Sequence, residues 1–326
     1  MTGRWTFHGG RLAEARAVYG GDPWLDLSTG INPNPWPGAV DLPVDWTRLP
    51  DEAALRSLEA SAAAHFGVEP DVVCAVPGTE IGLRLLDAIG IRLGAHVPPA
   101  YRTHAELAGS GIAIDAGSLP WPPTESLILA NPNNPDGRIL GRDLLRDQLA
   151  RTASSGHWLV IDEAFADASP AISLAHQVGG DRRLIIFRSF GKFFGLAGVR
   201  LGFVLAPRDV IARYRDRLGS WPLSSAALAI GTAAYRDADW IAAERGRLVA
   251  QVAALDAVLA RRGFAAAGGC PLFRLIEVED AASLFDRLAR QAILTRPFDQ
   301  EPGWLRIGLP GSEDALARLD DALARG

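Results

Sequence analysis

Lysine is nearly absent from this chain: of its 33 Lys and Arg side chains, one, Lys192, is a lysine. Cysteine is scarce as well. Cys74 and Cys270 lie far apart in apolar surroundings, which excludes a disulfide framework and every zinc-ligand spacing. No apolar run approaches the ~20 residues that a membrane-spanning helix needs, and the opening Met1-Thr2-Gly3-Arg4-Trp5 lacks the apolar stretch of a secretion signal. From these absences we expect a soluble, cytoplasmic protein without a metal. There is no basic stripe either; the net charge of -5 comes from interspersed charges, which excludes nucleic acid as a partner. Internal repeats and low-complexity tracts are missing, while 48% hydrophobic content over 326 residues suffices for a full core and two lobes.

Against that background the solitary lysine stands out. It sits in Arg188-Ser189-Phe190-Gly191-Lys192-Phe193-Phe194-Gly195, directly after the apolar run Leu184-Ile185-Ile186-Phe187. Arginine replaces lysine as a surface charge, but its permanently protonated guanidinium cannot condense with an aldehyde. A compositional bias toward arginine would explain the count, not the position. A glycine-punctuated loop after a buried strand is where an α/β fold carries its chemistry, so Lys192 is a candidate for covalent catalysis.

Short, continuous apolar runs recur at Val72 to Val76, Leu127 to Ala130, Trp158 to Ile161, Leu184 to Phe187 and Leu201 to Leu205, separated by helical patterns such as Arg142 to Ala153. Continuous rather than alternating hydrophobicity predicts strands covered on both faces, hence a mainly parallel sheet in a three-layer α/β/α sandwich. A long Ala/Arg/Leu helix from about Trp240 to Arg262 leads to strand Leu272 to Val278, helix Ala281 to Gln291, strand Trp304 to Ile307 and helix Glu313 to Ala324, a smaller α+β lobe. The expected organisation is an N-terminal arm over 1–40, a large domain over 41–225 and a small domain over 226–326.

Four inferred strands end in loops that match the needs of a phosphorylated pyridine aldehyde. Pro77-Gly78-Thr79-Glu80 is a strand-to-helix turn whose amides and hydroxyl suit a phosphate. The rigid turn Asn131-Pro132-Asn133-Asn134-Pro135-Asp136-Gly137 can present an amide to a phenolic oxygen, although turn chemistry alone would also explain it. Asp162 emerges from a wholly apolar strand, placed to pair with a protonated pyridine nitrogen. Ser189 and Arg200 flank the lysine with phosphate donors.

Taken in order, Gly78-Thr79-Glu80, Asn131 to Gly137, Asp162-Glu163-Ala164-Phe165 and Ser189 through Arg200 resemble the class I/II aminotransferase superfamily of fold type I pyridoxal phosphate enzymes. The resemblance implies pyridoxal 5'-phosphate as cofactor, with Gly78, Thr79, Ser189 and Arg200 on its phosphate, Glu80 also among the cofactor-binding residues, and Asn134 on the phenolic oxygen. Asp162 would pair with the ring nitrogen and Lys192 form the imine. Tyr101 would lie against the ring, with His104 the alternative. It also implies a homodimer and places a substrate anion on Arg306. Two positions depart from the superfamily: Phe165 stands where tyrosine is frequent, and Leu49-Pro50 where a tyrosine-proline reaches the partner's phosphate.

Whether such a site transaminates or decarboxylates depends on which Cα bond stands perpendicular to the ring. The arm His8-Gly9-Gly10 and Asp26-Leu27-Ser28-Thr29-Gly30-Ile31-Asn32-Pro33 is similar to the opening of the threonine-phosphate decarboxylases of cobalamin biosynthesis. That resemblance implies conversion of L-threonine O-3-phosphate to (R)-1-amino-2-propanol O-2-phosphate, with His8, Gly9, Asn32, Asn134, Arg296 and Arg306 as substrate contacts. The competing expectations are a histidinol-phosphate-type aminotransferase and a cofactor-binding regulator without turnover.

Overall fold

The computed structural model describes residues 3–180 and 182–324. They form two compact units, one of 35–134 with 139–242 and one of 3–34, 135–138 and 243–324.

The larger unit is built on a seven-stranded sheet in the order Val73–Val76, Gly202–Leu205, Leu184–Ser189, Leu159–Asp162, Leu127–Ala130, Ala95–His96, Ile112–Ala113. Every pairing is parallel except those of Gly202–Leu205, which runs antiparallel to both its neighbours. The carboxyl ends of four strands, at Val76, Ala130, Asp162 and Ser189, therefore share one edge with the amino end at Gly202. Each of these central strands is buried along its full length, as their continuous apolar runs predict. Helices cover the sheet. The first, Glu52–Phe66, is started by the Asp51 carboxylate accepting from the Ala53 amide and stopped by Gly67 in the left-handed conformation.

Successive strand residues face opposite sides of the sheet. On one side Cys74, Val76, Ile128, Val160, Ile185, Phe187 and Val204 form a core with Tyr214, whose hydroxyl donates to the Gly82 carbonyl at 2.9 Å. Asp162 and Ser189, two residues beyond Val160 and Phe187, continue that side to the edge. Glu163 and Arg188 take the other side. There Arg188 donates to Glu163 at 3.1 Å and to Asp167, His65 Nε2 lies 3.0 Å from the same Asp167 oxygen, and Arg188, Glu163 and Asp167 are buried.

The smaller unit has an antiparallel sheet in the order Arg296–Pro297, Trp304–Gly308, Phe273–Glu277, Ala266–Cys270, with helices Ala281–Arg290 and Glu313–Ala324. A two-stranded parallel pair joins Leu25–Asp26 to Ile293–Leu294. The chain after it runs along the antiparallel sheet, where the Gly308 amide donates to the Leu27 carbonyl at 2.7 Å. Among the described residues no helix is long and apolar enough to cross a membrane.

Both cysteines are free and buried, and burial pushes the Cys74 thiol up to about 12 and the Cys270 thiol to about 11. Since the thiolate is the reactive form, native protein at pH 8 should show no titratable thiol with Ellman's reagent and two after denaturation. Rapid labelling of either in the native state would contradict this packing.

Candidate active site

The sheet edge opens into a cavity of about 180 Å³ lined by Gly78, Thr79, Glu80, Tyr101, Asn134, Asp162, Phe165, Ser189, Lys192 and Arg200, among others. All nine residues expected on a cofactor are thus gathered in one place, within the larger unit.

Topology accounts for the gathering. Gly202 pairs with Val76 on one side and with Ser189 on the other, so the segment entering it carries Arg200 between the turn at Gly78 and the end of the neighbouring strand. Arg200 itself has φ +56°, a left-handed conformation that a bulky side chain seldom adopts. Gly78 adopts φ +82°, which favours glycine, and a Cβ there would lie 2.8 Å from Arg200 Nη2 and displace that guanidinium. Likewise a Cβ on Gly202 would stand 2.7 Å from the Thr79 amide nitrogen. Two glycines thereby let a guanidinium, two hydroxyls and a tight backbone turn converge, a donor set suited to a phosphate.

Asp162 is nearly buried. Its Oδ1 accepts from the Ala164 amide at 3.0 Å and its Oδ2 lies 3.1 Å from His104 Nε2. His104 stands outside the cavity lining, against the Asp162 carboxylate. Tyr101 lines the cavity instead, at the start of helix Arg102–Ala108. Its hydroxyl donates to Glu80 Oε2 at 3.1 Å, and burial followed by the Glu80 charge pushes the phenol above its ordinary range. The Glu80 carboxylate is also taken by Thr103 at 2.9 Å and by Arg84 at 2.9 Å. This carboxylate holds the aromatic ring in place.

In the Asn131 to Gly137 turn the two polar ends of Asn131 close the loop on itself, accepting from the Leu140 amide at 2.9 Å and donating to the Leu140 carbonyl at 3.2 Å. Asn133 donates to the Pro99 carbonyl at 2.8 Å. With its neighbours anchored, Asn134 reaches the cavity, which Pro132 of the same turn also lines. Lys192 lies in the short helix Phe190–Phe193, where Phe190, Phe193 and Phe194 are fully buried against Tyr235 and Trp240. That aromatic packing fixes the backbone, and the Lys192 Nζ stands 5.6 Å from the Phe165 ring centroid. An amine, a carboxylate, an amide, a phosphate cradle and an aromatic platform fit a phosphorylated pyridine aldehyde.

The expected substrate contacts other than Asn134 belong to the smaller unit. Arg296 and Arg306 are direct cross-strand partners, so their side chains leave the sheet on one face. Arg306 is buried, donates to the Ser28 carbonyl at 2.9 Å and stacks 4.9 Å over Phe273. Burial, then the Arg296 charge, lowers its proton affinity well below that of an ordinary guanidinium. Gly9 packs on the same Ser28, where a Cβ would meet the carbonyl oxygen at 2.4 Å. His8 is exposed, its Nδ1 2.9 Å from the Gly9 carbonyl. Asn32 is buried and donates to Glu244 at 2.9 Å.

The profile of the family described as aminotransferase class I and II matches residues 105–323. A threonine-phosphate decarboxylase from Sinorhizobium sp. is 43% identical, over 98% of this chain and 97% of its own length. One from Pseudomonas aeruginosa is 39% identical over 97% and 96%. Among solved structures, histidinol-phosphate aminotransferase from Sinorhizobium meliloti in complex with pyridoxal-5'-phosphate superposes with a TM-score of 0.84, covering 97% of this chain and 94% of that one at 19% identity, a likeness of fold.

Proposed function

Since the chain belongs to the aminotransferase class I and II family, we propose that it is a pyridoxal-phosphate-dependent lyase that decarboxylates L-threonine O-3-phosphate to (R)-1-amino-2-propanol O-2-phosphate, the linker precursor of the corrinoid nucleotide loop. The observation that carries this reading is the cross-strand pair Arg296 and Arg306. Two guanidiniums side by side repel each other, a cost added to the burial of Arg306, and a doubly anionic ligand relieves it. Threonine phosphate brings a phosphate and a carboxylate. The likeness to threonine-phosphate decarboxylases at 39% and 43% identity over nearly the whole chain favours this reading over the aminotransferase alternative; the regulator alternative leaves the assembled amine, carboxylate and amide without a purpose.

When bound, the cofactor supplies an electron sink for the pair released at Cα. Thr79, Ser189 and Arg200 hold its phosphate, Tyr101 packs against its ring and Asn134 donates to its phenolic oxygen. Asp162, oriented by the His104 and Ala164 contacts, would face the ring nitrogen and hold a proton there. The arginines, with His8 and Asn32, would hold the substrate's anions and so orient its carboxylate for loss. As carbon dioxide leaves, one proton is gained at Cα, and Lys192 Nζ is the group that delivers it. Phe165 offers no hydroxyl to the phenolic oxygen, leaving Asn134 as its side-chain donor from this chain.

Carbon dioxide release from threonine phosphate, measured beside 2-oxoglutarate-dependent amino transfer from histidinol phosphate, tests the proposal. The first without the second is expected; the reverse would hand the chain to the aminotransferases. A cytoplasmic homodimer belongs to the same proposal. Val40, Trp46, Leu49 and Trp221 are large apolar residues exposed on the larger unit, apolar area that a partner would cover, and two free thiols suit a reducing compartment. Sedimentation at micromolar concentration should give twice the 34.8 kDa chain mass; a monomer would refute the dimer.

A further inference from the structure

Ser28 is 2% exposed, and the chemistry proposed above makes no use of its hydroxyl. That hydroxyl has two partners. It donates to Asp26 Oδ1 at 2.6 Å and accepts from the Gly10 amide at 2.8 Å, while the Ser28 amide donates to the same Asp26 oxygen at 2.9 Å. The Ser28 carbonyl accepts from Arg306 Nη2 at 2.9 Å and is also the group on which Gly9 packs, so closely that a Cβ would stand 2.4 Å from its oxygen. The residue before it is pinned from both sides: the Leu27 amide donates to the Leu294 carbonyl and the Leu27 carbonyl accepts from the Gly308 amide, each at 2.7 Å.

A hydroxyl donates or accepts according to its partners, and a carboxylate only accepts. Asp26 therefore takes the hydroxyl hydrogen and leaves a lone pair directed at the backbone N–H of Gly10. One serine thereby joins segments 18 and 278 residues away from it, the arm through its hydroxyl and Arg306 through its carbonyl. His8 is exposed and leads directly into the two docked glycines. Groups that share an anionic ligand need a set spacing, which the residues behind them must supply. We infer that Ser28 is a positioning residue for the substrate, its hydroxyl docking the arm so that His8 is held at a fixed place relative to Arg306. The inference rests on the reading of His8 and Arg306 as substrate contacts.

Ser28→Ala keeps the backbone carbonyl for Arg306 and removes both bonds of the hydroxyl. In the holoenzyme it should raise KM for threonine phosphate about fivefold, roughly the loss of one neutral hydrogen bond, with kcat within about twofold and the cofactor's absorbance unchanged. Trypsin gives a readout independent of turnover. Arg11 follows the docked glycines, and cleavage after it requires the arm to open locally. Without substrate, the variant should be cut there about fivefold faster, by the same lost bond. A lowered melting temperature with faster cleavage throughout the chain and no KM change would mean a merely structural role and overturn the inference. A raised KM with cleavage after Arg11 unchanged would mean that the hydroxyl acts on the substrate itself, which also overturns it. His8→Ala and the double variant complete the test, because residues acting as one unit are not additive: the double variant should be no worse in KM than His8→Ala. Additive effects, or an unchanged KM in Ser28→Ala beside a raised one in His8→Ala, overturn the inference and leave the substrate reading standing. An unchanged KM in His8→Ala removes the substrate reading of His8 and the inference with it. Should Ser28→Ala fail to fold, Gly9→Ala, whose Cβ presses on the Ser28 carbonyl, should raise KM at constant kcat and quicken cleavage after Arg11; no change in either overturns the inference.

Discussion

Lys192→Arg should fold normally, bind the cofactor weakly, lose its near-visible absorbance and turn over at least ~10²–10⁴-fold more slowly, the range expected for removing a positioned proton-transfer group. Arginine keeps the positive charge, fits the length of the side chain and preserves any attraction to neighbouring anions. It cannot form a carbon–nitrogen double bond with an aldehyde, and its guanidinium does not give up a proton near neutral pH. The substitution therefore separates charge from nucleophilicity. Because the flanking Phe190, Phe193 and Phe194 carry the packing, melting temperature of the apoprotein should be unchanged. Turnover within tenfold of wild type would mean that Lys192 lines the cavity without acting there.

Arg188→Met should destabilise the protein by about 3–5 kcal/mol, the cost of leaving buried acids without their counter-charge. Arg188 serves Glu163, Asp167 and Ser173, and its guanidinium also lies 4.6 Å over the Phe66 ring. Burial alone would raise the Asp167 carboxyl; Arg188 first and His65 next outweigh it and hold the group well below the usual carboxylate range. A depressed carboxyl contributes stability that is present above its unfolded value, about 3.9, and is lost as pH falls through the folded one. In the variant Asp167 can stay buried by taking up a proton, which costs less in acid. The deficit against wild type, measured by urea denaturation, should thus be largest near pH 7–8 and shrink toward pH 5. An equal deficit at both ends would assign the loss to packing against Phe66.

The same alternation of strand residues explains what the sequence made legible. Buried parallel strands write themselves as unbroken apolar runs, so the polar residue that ends each run, Asp162 or Ser189, was visible as an edge residue, and the glycine-rich loops beyond were visible as turns. Lys192 could be singled out because arginine occupies every other cationic position. Partners that meet only in three dimensions were hidden. Glu163 sits next to Asp162 in sequence but on the opposite face, committed to Arg188 and the Ser173 loop; nothing in Asp-Glu-Ala-Phe announces the division. His104 was considered as a stacking residue, whereas helix Arg102–Ala108 carries it one turn past Tyr101 and against the Asp162 carboxylate. That one-turn spacing was the available signal. Glu244 lies more than two hundred residues from Asn32, on a long helix whose Ala/Arg/Leu pattern gives no hint that one acid is buried. The strand Ala266–Cys270 escaped notice because Ala-Ala-Gly-Gly-Cys has low strand propensity. Its glycines allow close backbone contact, a Cβ on Gly268 falling 2.1 Å from the Asp136 carbonyl oxygen.

Reduction of the cofactor-loaded protein with borohydride, followed by proteolysis and mass spectrometry, tests the role of the solitary lysine most directly. A single modified peptide is expected, spanning Ser189 to Arg200 and carrying the pyridoxyl mass on Lys192. A cofactor that stays unattached after reduction, or attaches at the amino terminus while Lys192 is recovered unmodified, would contradict the account.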